Sequence, residues 1–252
     1  MNVDIRSNDS VKLQGPLYNL DCYNFWDLNH CADNFKSQKY YKHLSSLQTK
    51  ANPYYNEHRA LAVVDFKKYN FEYQKYYDLL PKNVRRDIAL SKRSNFYFKK
   101  YDFNRHVYDF SEINNSQRDK KGSINPWYLQ APSFFLGSHS HGKHAWEDDK
   151  HHGTWYGLFK YFKHYKQGVV TTNEKLFAYC KVLVDGEMAT IGLIWMHAGH
   201  QNKGLGYHLI TAVVKDVIQN KKIKCLVYSC ANQYPKWKSR MLFEPIPIVI
   251  NL

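Results

Sequence analysis

No apolar run in this chain approaches the roughly 18 residues that a membrane-spanning helix requires, although 44% of its 252 residues are hydrophobic. No transmembrane segment and no membrane partner are therefore expected. Residues 1–9 are polar and lack the basic and then apolar layout of a secretory leader, which points to a cytoplasmic protein. No CxxC pair is present. The five cysteines, Cys22, Cys31, Cys180, Cys225 and Cys230, are odd in number and scattered, which argues against a disulfide framework and for reduced thiols. Acidic residues are scarce: 22 Asp and Glu stand against 36 Lys and Arg, a formal net charge of +14 with histidine neutral. This excess is unusual for an enzyme of small neutral metabolites. It favours an acidic partner, whether DNA or RNA met through a basic surface, a nucleotide-bearing cofactor or an anionic surface. The plainer explanation is a lysine-rich solvated surface in a chain also rich in Tyr and Asn.

The length accommodates one large domain or two smaller ones that share a core. Composition divides the chain into a polar N-terminal extension, 1–58, with a short helix near 34–47, an α/β half at 59–154 and a more regular half at 155–252. The β-branched run 59–66 reads as a buried strand. Helices are expected over 71–80 and 82–91, with Pro81 ending the first or opening the second. Strand character returns at 96–101. Val107, Phe110 and Ile113 recur at helical spacing over 105–116, and the polar stretch 114–125 is a candidate substrate-facing loop. His139, His141, His144, His151 and His152 cluster with Glu147, Asp148 and Asp149, a density able to ligate a metal. No His-x-x-x-His pair with helical periodicity supports one, and no metal is assigned.

From Trp155 the pattern is clearer. Strands are expected over 155–162 and 176–184, the second with Leu176, Ala178, Cys180, Val182 and Val184 on one face. Asp185-Gly186 then turns the chain, because a type I′ hairpin turn needs positive φ at both central residues. The returning strand 188–196 is apolar on both faces and therefore central. Directly after it comes His197-Ala-Gly-His-Gln-Asn-Lys-Gly-Leu-Gly206, followed by an amphipathic helix over 207–219 in which Leu209, Val213 and Val217 accompany Ile210, Val214 and Ile218. A strand at 225–230 and a further helix and strand complete the chain.

A strand, glycine loop and helix in this order present backbone N–H groups at a helix N-terminus, with the positive end of its dipole behind them. Phosphate suits such a site. Lys203 adds a positive charge, and no carboxylate lies between His197 and Val214 to oppose an anion. Two glycines before a helix also serve a plain turn, so the flanking elements carry the argument further.

In order and spacing, residues 175–250 resemble the GNAT N-acetyltransferase superfamily, whose Gln/Arg-x-x-Gly-x-Gly/Ala pattern is matched by Gln201, Gly204 and Gly206. The resemblance implies an α+β fold, an α/β sandwich whose mixed and mostly antiparallel sheet is flanked by helices, with a divergent N-terminal α/β half. It implies acetyl-CoA as acyl donor, with Gln201, Asn202, Lys203, Gly204, Leu205 and Gly206 around its diphosphate. Met196, His197 and Ala198 would meet the pantetheine arm, and Asn232 would touch the cofactor beyond the next strand. The family places a tyrosine acid near position 239, where this chain has Ser239; Tyr234 is the candidate proton donor instead, and Trp237 can only pack. His197 is the first candidate base, because imidazole titrates near neutrality, and Glu187 is the second.

The activity implied is transfer of an acyl group to an amine by direct attack, with an acceptor that is polar and carried on nucleic acid in one version of the reading. Two alternatives stand beside it. One keeps the fold and takes aminoacyl-tRNA as donor, in line with a fainter resemblance of 113–118 to the substrate halves of larger GNAT-like proteins. The other is a non-catalytic nucleic-acid-binding protein, with lysines on phosphates and some of the 21 tyrosines stacked on bases.

Overall fold

The computed structural model describes residues 60–116, 126–136, 151–166, 169–185, 187–230 and 235–247. The extension 1–58, the loop 117–125 and the His-rich stretch up to residue 150 lie outside the described residues.

Seven strands form one sheet in the order β2-β3-β4-β5-β6-β1-β7. They are β1 Ala60–Asp65, β2 Tyr97–Lys100, β3 His151–Lys166, β4 Val169–Asp185, β5 Met188–Met196, β6 Cys225–Cys230 and β7 Glu244–Pro247. Every described pairing is antiparallel except β5 with β6. The sheet is thus mixed and mostly antiparallel, and β5 lies at its centre. β1 sits between β6 and β7, so the early run of β-branched residues pairs with the far end of the chain.

Helices cover both faces. On one, α1 Tyr73–Leu79, α2 Lys82–Arg93 and α5 Leu205–Ile218 bury Tyr76, Val84, Ile88, Leu209, Val213 and Val217 against Ala178, Cys180, Val182 and Val184 of β4. On the other, α3 Val107–Asn115 and α4 Pro132–Leu136 close a smaller aromatic core of Phe103, Phe110, Phe135, Trp155, Phe159 and Tyr179. The last described elements are α6 Pro235–Arg240 and β7. Pro81 caps α2, where the N–H it lacks is one the helix would leave without a partner. Among the described residues no helix is long and apolar enough to cross a membrane. Cys180 and Cys225 are free, and burial raises both thiols, Cys225 to about 12, so neither is a reactive thiolate.

Two expectations need correction. Leu176 leaves the face shared by Ala178, Cys180, Val182 and Val184 and joins the aromatic core, because β4 slips by one residue: Leu158 pairs with Ala178 but Phe159 pairs with Leu176. Phe177 is the extra residue, and a bulge inverts the alternation beyond it. The hairpin closes at the pair Asp185–Met188, so residues 186 and 187 make the connection, one position later than Asp-Gly.

α5 is tied to α2 by a buried polar pair. Ser91 Oγ and His208 Nδ1 share a 2.9 Å hydrogen bond, and burial, aided by Lys92, lowers the imidazole to about 4. The folded chain therefore binds fewer protons here than the unfolded chain, whose imidazole titrates near 6.5. Stability from His208 is complete above about pH 6.5 and is lost as pH falls toward 4. Urea unfolding at pH 7.5 and pH 5 should show wild type losing about 2 kcal/mol more than His208→Asn over that interval. Equal losses would remove His208 as the titrating group.

Candidate functional site

β5 and β6 run side by side for three residue pairs only, Met188–Cys225, Ala189–Leu226 and Thr190–Val227. Beyond that point they part. The cause lies in β5: Val182 of β4 pairs with Ile191, but Lys181 pairs with Leu193, so Gly192 is an extra residue. A bulge bends its strand and increases its twist, which carries the end of β5 away from β6 while β6 continues against β1. The result is a wedge-shaped gap between two parallel strands, with the loop after β5 at its mouth.

That loop is a 3₁₀ turn, Ala198–Lys203, followed by Gly204 at φ +70° and then α5. His208 N donates to the Gly204 carbonyl at 3.0 Å, so the amides of Leu205, Gly206 and Tyr207 lie ahead of the first bond in the ladder of α5. The first turn of α5 holds no acidic residue. Burial lowers the His200 pKa, and the surrounding Lys203, His197, Lys160 and Lys175 lower it further. The loop is therefore electropositive even with its imidazole neutral, which suits a diphosphate.

The polar groups at the end of β5 are already committed to the chain itself. His197 N donates to the Phe177 carbonyl at 2.8 Å, and Ala198 N donates to Ser116 Oγ at 2.9 Å. The amides of His197 and Ala198, expected to meet the pantetheine arm, are occupied. Gly199 N donates to Nδ1 of His197 at 3.1 Å, which makes the imidazole the cap of the 3₁₀ turn. In the neutral ring this fixes the proton on Nε2, which lies 3.7 Å from Glu112 Oε1. The Nδ1 lone pair is engaged, so His197 is not poised as a base in this conformation. Glu112 also accepts from Lys175 Nζ at 2.6 Å. Glu112, Ser116 and Lys175 reach the site from α3, its C-cap and β4, and no sequence motif announces them.

Gly204 has a role other than contact with phosphate. A Cβ there would fall 2.2 Å from the Asp87 carbonyl oxygen of α2, so this glycine seats α5 on α2. Gly206 lies beneath Met196 and Trp237, whose atoms would stand 2.9 and 3.5 Å from its Cβ. Trp237 of α6 stacks on Tyr207 with ring centres 5.8 Å apart and packs edge-on against Tyr228 of β6. Met196, Tyr207, Tyr228 and Trp237 thus line the gap with apolar surface. Leu205 is fully buried, and only its backbone can face a ligand. Gln201, Asn202 and Lys203 lie on the 3₁₀ turn at the mouth.

Asn232 and Tyr234 lie outside the described residues. Ser239 Oγ donates to the Lys236 carbonyl at 3.1 Å within α6 and supplies no acid to the gap. Glu187 is excluded as a base. It pairs with Lys224 beside the start of β5, about 30 Å from His197 at the usual strand rise. Asn114 does not face substrate: it is fully buried, accepts from the Tyr179 hydroxyl and donates to the Tyr128 carbonyl. Among the described residues no group of three or more His, Cys, Asp or Glu is arranged to hold a metal.

Gly204→Ala should cost several kcal/mol, since it adds a methyl against α2 at a positive φ, on the order of the 1–3 kcal/mol of each effect alone. Lys203→Glu should leave the melting temperature within about 2 °C of wild type. Thermal unfolding of the two variants checks both, and a Gly204→Ala protein as stable as wild type would refute the seating role.

Residues 122–234 match the acetyltransferase (GNAT) family. Curated protein sequences give no match. Among solved structures the chain is similar to FemX, at 8% identity and TM-score 0.49 over 75% of this chain and 60% of that one. It is also similar to L-PGS from Bacillus licheniformis, at 11% identity and TM-score 0.43 over 75% and 57%. A tandem GNAT protein from the clavulanic acid biosynthesis pathway gives 13% identity and TM-score 0.41 over 76% and 53%. The chain spans little more than half the length of these proteins. The parted strands, the glycine turn and α5 all fall inside the matched segment, and residues 122–234 of this chain are a GNAT domain.

Proposed function

We propose that this chain is an N-acyltransferase that moves an acetyl or related acyl group from acetyl-CoA to the amine of a polar acceptor. The observation that carries this reading is the parting of β5 and β6 directly ahead of the N-terminus of α5. A long, thin donor with a diphosphate at one end and an apolar arm fits such a site in two places: the phosphates on the amides of Leu205–Tyr207 beside Lys203, and the arm along Met196, Tyr207 and Trp237. The arm can enter only if Met196 and Trp237 move off Gly206.

An unprotonated amine attacks the thioester carbonyl, a C–N bond forms as the C–S bond breaks, the nitrogen gives its extra proton to water, and the departing thiolate takes one up. The domain contributes mainly by placing the two reactants together, which supplies roughly 7–11 kcal/mol in well-aligned cases. His197 is assigned here as a positioning residue that holds the loop through Gly199. Tyr234 remains the proposed donor of a proton to the thiolate.

A second reading, transfer from aminoacyl-tRNA within the same fold, is favoured by Ser239. Its hydroxyl is spent inside α6, so the acid that the resemblance places there for a departing thiolate is missing; the oxygen that leaves an ester is more basic than a thiolate and can take its proton from the attacking amine.

Acetyl-CoA at about 100 times its dissociation constant should stabilise the folded chain by roughly 2.7 kcal/mol, seen as a melting shift of roughly 5–10 °C. Lys203→Glu should weaken donor affinity about tenfold through one lost charge contact. No shift with acetyl-CoA or CoA, alongside acyl transfer from aminoacyl-tRNA, would select the second reading. For His197 the test is replacement: Asn can still accept from Gly199 N and should keep kcat/KM within about threefold, whereas Ala should lose about tenfold, chiefly in KM. If both variants lose kcat about 100-fold together with the acidic limb of the pH profile, His197 is the general base.

A further inference from the structure

β3 and β4 continue together past the strands that flank them. β2 pairs with β3 only at Tyr156, Gly157, Leu158 and Phe159, and β5 pairs with β4 only from Ala178 onward. Residues 160–166 and 169–175 therefore form a two-stranded ribbon with no adjacent strand among the described residues.

Its composition is unlike that of the sheet it leaves. Residues 160–175 hold Lys160, Lys163, Lys166 and Lys175, with Tyr161, Phe162, His164 and Tyr165 between them, against one carboxylate, Glu174. That carboxylate accepts from both the Tyr97 hydroxyl and the Lys99 ammonium, so it offers little repulsion to an anion. The rings at the ribbon base are not core residues. Tyr161 is 58% exposed and lies flat on Tyr97, with centres 4.8 Å apart and planes 17° from parallel. One of its faces is covered and the other is open. On the opposite ribbon face Phe162 is 36% exposed, and Lys160 Nζ lies 5.9 Å from its ring centre. Lys163 is exposed two residues beyond Tyr161, on the same face.

Exposed rings interleaved with lysines at alternating positions match the two needs of an unpaired polynucleotide: a flat surface for each base and a cation for each phosphate. A duplex offers phosphates but no open base faces, and would leave Tyr161 unused. We propose that this ribbon binds single-stranded nucleic acid, with Tyr161 extending the Tyr97 stack under one base and Lys163, on the same face, on the neighbouring phosphate. The site is separate from the acyl-donor gap and does not depend on it.

Fluorescence anisotropy of the full chain with labelled 12-nucleotide oligo(U) RNA and oligo(dT) DNA tests this directly. Wild type should bind one or both with affinity that falls as salt rises. Tyr161→Ala should weaken binding about tenfold with the salt slope unchanged, and Tyr161→Phe should restore it. Lys163→Gln should reduce the log–log salt slope by about 0.7, the value for one lost contact on a single strand. Circular dichroism confirms that each variant is folded. Equal affinity of Tyr161→Ala and wild type, tighter binding to a duplex of the same length, or binding only to phosphatidylglycerol vesicles would each overturn the proposal. A donor melting shift that persists in Tyr161→Ala keeps this outcome distinct from that of the acyl-transfer reading.

Discussion

The site depends on a parallel strand pair that stops after Thr190 and Val227. Backbone N–H and C=O groups at the edge of a sheet need partners. The groups of β6 that face away from β5 find them in β1, where the register slips between Leu61 and Val63; those that face the gap point away from β1. β5 keeps its bonds to β4 as far as Met196, and Gly192 turns it outward on the way. The gap is therefore a product of the extra residue in β5. Met196, Tyr207, Tyr228 and Trp237 line it with apolar surface, so an arm entering it would exchange one set of apolar contacts for another.

The loop at the mouth of the gap is held by the protein before any ligand arrives. Phe177, Ser116 and the His197 ring take successive amides, and the Asp87 carbonyl leaves room only for glycine at 204. Most of these restraints come from outside the turn. α2, which seats Gly204 and binds His208 through Ser91, precedes the segment that matches the GNAT family. The divergent part of the chain thus sets the position of α5, and the amides of the matched part inherit that position.

Local pattern was enough to read most of the elements. The β-branched run at 60–65, the helical spacing of Val107, Phe110 and Ile113, and the period of Leu209, Val213 and Val217 each carry one periodicity, while the mixed, mostly antiparallel sheet was implied by the family resemblance of residues 175–250. The extra residues at Phe177 and Gly192 leave no such mark, since a bulge changes the parity of a strand without changing its composition. The reach of β3 and β4 beyond residues 162 and 176 was equally hidden, because an exposed ribbon of lysine and aromatic residues has no buried face to betray it. Gly204 shows the limit of a glycine motif. Close approach of a phosphate and close approach of another helix's carbonyl both require the missing side chain, and only the three-dimensional contact separates them. Glu112 and Ser116 come to the site from a helix far upstream, beyond the reach of any local spacing.

The place of β1 between β6 and β7 has a consequence for how the chain acquires its shape. During synthesis the strand at 60–65 emerges before both of its neighbours, which lie within residues 225–247. Until residues 225–247 appear, β1 can offer its hydrogen-bonding groups only to water or to whatever else binds unpaired strands, and the centre of the sheet stays unsealed. Long-range pairing of this kind is slow, because a large loop must close before any contact rewards it. For the nascent protein the hazardous interval therefore lasts until β6 and β7 fold back on both sides of the first strand.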